Sequence, residues 1–64
     1  MTKIRRCNMV FLTWKGDHQP RHVHVYENGK FAVKWDLENW VAMRGRMTGR
    51  ILRIIRELQQ EGRL

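Results

Sequence analysis

Between residues 22 and 35, apolar and polar positions alternate with a period of two in two short runs. His22-Val23-His24-Val25-Tyr26 and Phe31-Ala32-Val33-Lys34-Trp35 flank Glu27-Asn28-Gly29-Lys30. Asn-Gly between two alternating runs predicts a β-hairpin with a two-residue turn, because such turns need positive φ at both central residues. That turn sets Glu27 opposite Lys30, Tyr26 opposite Phe31, His24 opposite Val33 and His22 opposite Trp35. One face then carries His22, His24, Tyr26, Phe31, Val33 and Trp35. The other carries Val23, Val25 and Ala32 with Lys30 and Lys34. A three-residue loop with a bulge would break this assignment.

The same pattern extends the sheet on both sides. Met9-Val10-Phe11-Leu12-Thr13-Trp14 is β-branched and aromatic and runs into Lys15-Gly16-Asp17, a strand ending in a turn, with Pro20 at the edge of that loop. Asp36-Leu37-Glu38-Asn39 reads as a further turn and Trp40-Val41-Ala42-Met43 as a short fourth strand. The period then changes. Met47, Ile51, Ile54, Ile55 and Leu58 recur on one helical face, with Arg46, Arg53, Arg56 and Gln60 on the far side. Thr48 is placed to cap the start of this helix and Gly62 to stop it. The fold class expected is α+β. It is a small antiparallel β-meander of three to four strands with one C-terminal amphipathic helix packed on one sheet face, in a single domain spanning 1–64. One helix covers one face, either that of Val23, Val25 and Ala32 or that of Phe31, Val33 and Trp35.

Size and charge sharpen the picture. The 64 residues carry 13 Lys plus Arg against 6 Asp plus Glu, a net charge of +7. A chain of this length buries only about 60% of its unfolded surface, so there is no room for a second domain and a homodimer is favoured. The lone Cys7 allows no intramolecular disulfide, reads as a small buried or half-buried apolar residue, and fits a reducing, cytoplasmic compartment. Met9 to Leu12 is too short an apolar run for a signal sequence or a membrane span, so no membrane association is expected. Trp14 and Trp35 are expected in the core, whereas Trp40 could pack there or stack on a base.

Candidate chemistry is concentrated in one place. All three histidines, His18, His22 and His24, fall within seven consecutive positions. His22 and His24 project side by side from one strand, and His18 on the preceding loop could fold back toward them. Three imidazoles can ligate a metal, with His18, His22 and His24 as the set. Without a metal, two can act as base and acid in cleavage of an RNA phosphodiester, with Arg21 or Lys15 stabilising the phosphorane-like charge. A third reading is recognition alone, with Tyr26 and the imidazoles stacking or hydrogen-bonding. The plain alternative is that these histidines are ordinary half-exposed strand residues, hydrogen-bonded to backbone or to Asp17. The arginines divide similarly. Arg44, Arg46, Arg50, Arg53 and Arg56 surround the start and outer side of the helix, as a phosphate-contacting stripe or as a solvated face with Arg53–Glu57 pairing.

The run Asp17-His18-x-Pro20-x-His22-Val23-His24-Val25-Tyr26, followed by Lys34-Trp35-Asp36-Leu37-Glu38, Met43-x-Gly45 and a helix ending Glu57-Leu58-x-x-Glu61-Gly62, resembles the small bacterial domain-of-unknown-function family numbered 4160. Relatives often carry a second Pro before the middle His, where this chain has Arg21. The resemblance implies a toxin–antitoxin setting and a partner protein encoded nearby. The combined expectation is a basic module that binds nucleic acid, RNA more than DNA. Lys15, His18, Arg21, Arg44, Arg46, Arg50 and Arg53 would contact phosphate. Any catalysis would be metal-independent and ribonuclease-like, carried by His22 and His24 with Tyr26 assisting, and no cofactor is expected. The alternative is a non-catalytic antitoxin-type module that pairs with an acidic protein partner.

Overall fold

The computed structural model describes residues 2–14 and 21–64. Among the described residues five strands, β1 (Thr2–Arg6), β2 (Met9–Thr13), β3 (His22–Glu27), β4 (Lys30–Asp36) and β5 (Val41–Gly45), precede one helix, α1 (Gly49–Gln60). The strands form one antiparallel sheet in chain order, with β1 and β5 at its edges. The α+β meander is as expected, but it has five strands rather than three or four. β1 escaped the pattern because its single buried apolar residue, Ile4, stands among Lys3, Arg5 and Arg6. It turns into β2 through Cys7-Asn8 at φ 55° and 62°, positive-φ geometry reached without the Asn-Gly signature. Cys7 is consequently exposed at a hairpin tip rather than buried or half-buried.

The Asn28-Gly29 turn forms as the sequence predicts, with φ 53° and 80°, and sets Glu27 opposite Lys30 and Tyr26 opposite Phe31. One residue further on the register shifts, and Val25 pairs with Val33, His24 with Lys34, Val23 with Trp35 and His22 with Asp36. Ala32 is the extra residue, and this bulge within the strand, rather than in the loop, inverts the facing of β4 beyond it. Val33 and Trp35 therefore join Val23 and Val25 on the buried side, and Lys34 moves to the side of the histidines.

The gain is a continuous core. Ile4, Phe11, Val23, Val25, Val33 and Trp35 of the sheet form one buried cluster with Ile51, Ile54, Ile55 and Leu58 of α1. At about 1.5–3 kcal/mol for each fully buried Ile or Leu, the helix residues supply a large part of the driving force. Both helix ends match the sequence signals. The Thr48 side chain accepts from the Ile51 N–H at 3.2 Å. At the other end Gly62, with φ 76°, donates to the Gln59 carbonyl at 3.0 Å while Arg63 donates to that of Leu58 at 2.8 Å. Arg6 of β1 then holds the C-terminal end of α1, with two hydrogen bonds to Glu61 at 2.7 and 2.8 Å. The Arg6 hydrogen bond keeps the Glu61 carboxyl below its ordinary range, against some desolvation.

Candidate functional site on the open sheet face

The sheet face opposite the buried cluster gathers His22, His24 and Tyr26 of β3, Phe31 and Lys34 of β4, and Met43 and Arg44 of β5. His24, Tyr26, Phe31, Lys34, Met43 and Arg44 border one cleft of about 540 Å³. Two backbone irregularities build it. The Ala32 bulge turns Lys34 onto this face, across from His24. A second shift leaves Met43 as the extra residue of β5, between the Lys34–Arg44 and Trp35–Ala42 pairs. Gly45 makes that close pairing feasible. It lies at φ 80°, and a Cβ there would run into the Ala32 carbonyl oxygen and come within 2.9 Å of the Val33 Cα.

Rings line the face in contact with one another. Trp14 meets His24 edge-on at 4.8 Å between centroids, and His24 meets His22 at 5.1 Å. Tyr26 meets Phe31 at 5.7 Å, and the Arg44 guanidinium lies 5.9 Å from the Phe31 ring centre. Trp14 is thus a surface residue, 40% exposed, and not the core residue expected of it. Its position at the end of β2 places it on the histidine side.

His22 pairs across the sheet with Asp36 of β4. Asp36, opposite it, is buried, and its Oδ1 accepts from the N–H groups of Glu38 and Asn39 at 2.8 and 2.9 Å while Oδ2 accepts from the Asn39 amide at 2.8 Å. The Asn39 N–H does most to hold the Asp36 carboxyl below the usual aspartate range. Desolvation opposes it, and the Asn39 side chain, the Glu38 N–H and the nearby His22 add to the lowering. This carboxylate organises the β4–β5 turn, which Trp40 enters at φ 60° with its ring edge-on to Trp35 at 5.4 Å.

A family model for a domain of unknown function, DUF4160, matches residues 8–63, which take in the histidine run, the open face and the helix. The chain belongs to that family. Neither the curated proteins nor the solved structures compared with this DUF4160 domain yielded a match.

The expected site residues of this DUF4160 domain fall into separate groups. His22, His24, Tyr26 and Arg44 share the open face. Arg21 is exposed just before β3, with its N–H donating to a Glu38 carboxylate oxygen. Arg46 borders a different depression with Lys30 and Phe31. Arg50 reaches Glu27 at 3.4 Å and the Cys7 carbonyl at 3.3 Å, tying α1 to two hairpin turns. Arg53 and Arg56 are exposed on the side of α1 away from its buried residues, and Arg56 lies over the Trp40 ring at 5.8 Å. Of these arginines, Arg44 is the one that borders the cleft with His24. Glu57 stands 3.8 Å from Arg6 of β1, rather than pairing with Arg53 as expected. Lys15, His18 and the Asp17 beside it lie outside the described residues. Among the described residues no three His, Cys, Asp or Glu side chains cluster as metal ligands, and His22 and His24 supply two of the proposed set. Sequence reasoning missed Lys34 and Met43 because bulges, not alternation, bring them to the cleft. No helix of the described residues is long and apolar enough to cross a membrane.

Proposed function

We propose that this DUF4160 domain binds RNA across the open face of its sheet. One observation carries the reading: Tyr26, Phe31, Lys34 and Arg44 border a single cleft, so π faces for unstacked bases and cations for phosphates stand side by side. The net charge of +7 adds long-range attraction for a polyanion. The test is an anisotropy titration of labelled RNA over a range of salt. Counterion release contributes a log–log slope of about −0.7 for each phosphate neutralised on a single strand. Lys34→Ala/Arg44→Ala together should make the slope shallower by about 1.4. A slope unchanged by the pair takes the binding off this face, and failure of the wild-type domain to bind RNA at low salt refutes the reading.

The His22–His24 contact extends the reading to cleavage. One neutral imidazole takes the proton of a ribose 2′-hydroxyl as its oxygen attacks phosphorus, and the other, as imidazolium, protonates the departing 5′-oxygen. The products are a 2′,3′-cyclic phosphate and a free 5′-hydroxyl. Lys34, across from His24, supplies positive charge for the pentacoordinate phosphorus, and Tyr26 lines the same cleft. In a toxin–antitoxin pair this would be the toxin's activity. RNA cleavage undiminished in His22→Ala/His24→Ala would sink this part and leave binding standing.

A protein-interaction role has its own supporting observation. β5 is an edge strand with Val41 and Met43 50% and 42% exposed, apolar surface suited to a second copy or an acidic partner. Val41→Lys/Met43→Lys should then abolish association in sedimentation equilibrium, and a wild-type protein that is monomeric and retrieves no partner removes this reading.

A further inference from the structure

Beside the main cleft lies a second depression on the same face, bordered by Lys3, Val10, Leu12, Tyr26 and Gly29, with a volume of about 370 Å³. Tyr26 borders both, so its side chain is the partition between them. The two sides differ chemically. The second depression is walled by aliphatic side chains with Lys3 as its one cation. The main cleft has Lys34 and Arg44, two rings and an imidazole. We infer that the open face takes single-stranded RNA as a dinucleotide step astride Tyr26, an inference that rests on the RNA-binding reading above. One base enters the aliphatic depression against Tyr26. The next enters the main cleft against Phe31, and phosphate lies along Lys34 and Arg44.

Shape and charge both favour a single strand. A base paired in a duplex keeps both faces stacked and cannot enter a depression or lie on a ring, whereas an unpaired base offers a π face to any aromatic. Val10 and Leu12 of the aliphatic depression cannot read a hydrogen-bonding edge, and of its bordering side chains only the Lys3 ammonium and the Tyr26 hydroxyl can hydrogen-bond, so that base is held mainly by stacking and with little selection. In the main cleft the imidazole, guanidinium and ammonium groups are all able to donate hydrogen bonds, so a base with carbonyl acceptors fits best there. Charge complementarity favours the same occupant, because Lys3 stands at one end of this path and Lys34 and Arg44 at the other.

The experiment measures affinity for uridine mono-, di-, tri- and hexanucleotides and for a blunt RNA duplex, with polyglutamate as competitor. Affinity should rise steeply from one to two nucleotides, level off by about three, and be weaker for the duplex at equal phosphate count. Tyr26→Leu keeps the apolar bulk but removes the ring, and should weaken dinucleotide binding roughly 5- to 150-fold, the equivalent of about 1–3 kcal/mol for one stacked base. Circular dichroism of the same variant checks that the sheet is intact, and Phe31→Leu, at a residue 41% exposed, provides a second ring deletion with less demand on folding. Affinity that grows steadily with length and matches the duplex overturns the dinucleotide inference while leaving RNA binding in place. Displacement of RNA by polyglutamate at equal charge also overturns it, in favour of an acidic protein partner. No binding of any RNA removes both readings together.

Discussion

Replacing Gly45 by alanine adds one methyl group at the point where β5 crosses the bulge in β4. That methyl would meet the Ala32 carbonyl oxygen, with the Val33 Cα at 2.9 Å and the Ala32 carbonyl carbon at 3.1 Å, all backbone atoms that no side-chain rotation can move aside. Two costs add. Holding an L-residue at φ 80° costs about 1–2 kcal/mol. Separating β5 from β4 to make room strains hydrogen bonds such as Arg46 N–H to Ala32 O, 3.1 Å long, at about 0.5–1.5 kcal/mol for each one lost. The sum is about 2–4 kcal/mol, against a total stability of roughly 3–10 kcal/mol for a domain of this size. In a domain this small each kcal/mol moves Tm by about 4–8 °C, so a drop of roughly 10–30 °C or outright unfolding is expected. Gly29 provides the control. It has the same φ of 80°, with nothing within 4 Å of a Cβ, so Gly29→Ala isolates the conformational cost. Thermal unfolding followed by circular dichroism should place Gly29→Ala between wild type and Gly45→Ala. Equal losses in the two variants would refute the close approach of β5 to β4, and with it the account of how Met43 and Arg44 come to border the cleft.

Two further outcomes follow from the same contacts. Thr48→Ala removes the acceptor for the Ile51 N–H and should lower stability by about 1 kcal/mol in urea unfolding, with Thr48→Ser restoring it. Asp36 and Glu61 both have carboxyls lowered in the folded state, so their stabilisation is complete above the ordinary carboxylate range and is lost as pH falls through the folded values. Tm should therefore fall on acidification below about pH 4.5, where an unfolded glutamate begins to take up protons. Asp36→Asn should flatten that decline, and an unchanged pH profile would count against the Asp36 turn as its source.

The elements with local signals were legible in the chain. The Asn28-Gly29 turn, the alternation of β3, the helical face of Ile51, Ile54, Ile55 and Leu58, and the Thr48 and Gly62 ends all depend on neighbours within a few residues, and each forms as read. β1 was not legible. Its pairing with β2 is registered by the apolar Ile4–Phe11 pair across the sheet, and no alternation among Lys3, Arg5 and Arg6 announces it. Trp14 illustrates the converse error, since a tryptophan in an apolar run reads as core until the facing of its strand is known.

The candidate site divides along the same line. That His22, His24 and Tyr26 share a face is determined by the sequence, because side chains two apart on a strand must point the same way. Which other residues join them was decided by the tertiary structure. A single extra residue at Ala32 reverses every later side chain of β4, sending Val33 and Trp35 into the core beneath α1 and bringing Lys34 out beside the histidines. The bulge brings Val33 and Trp35 into the buried cluster they share with the helix residues, since without it both would join Phe31 on the face away from the core. Local alternation has no means of recording that packing.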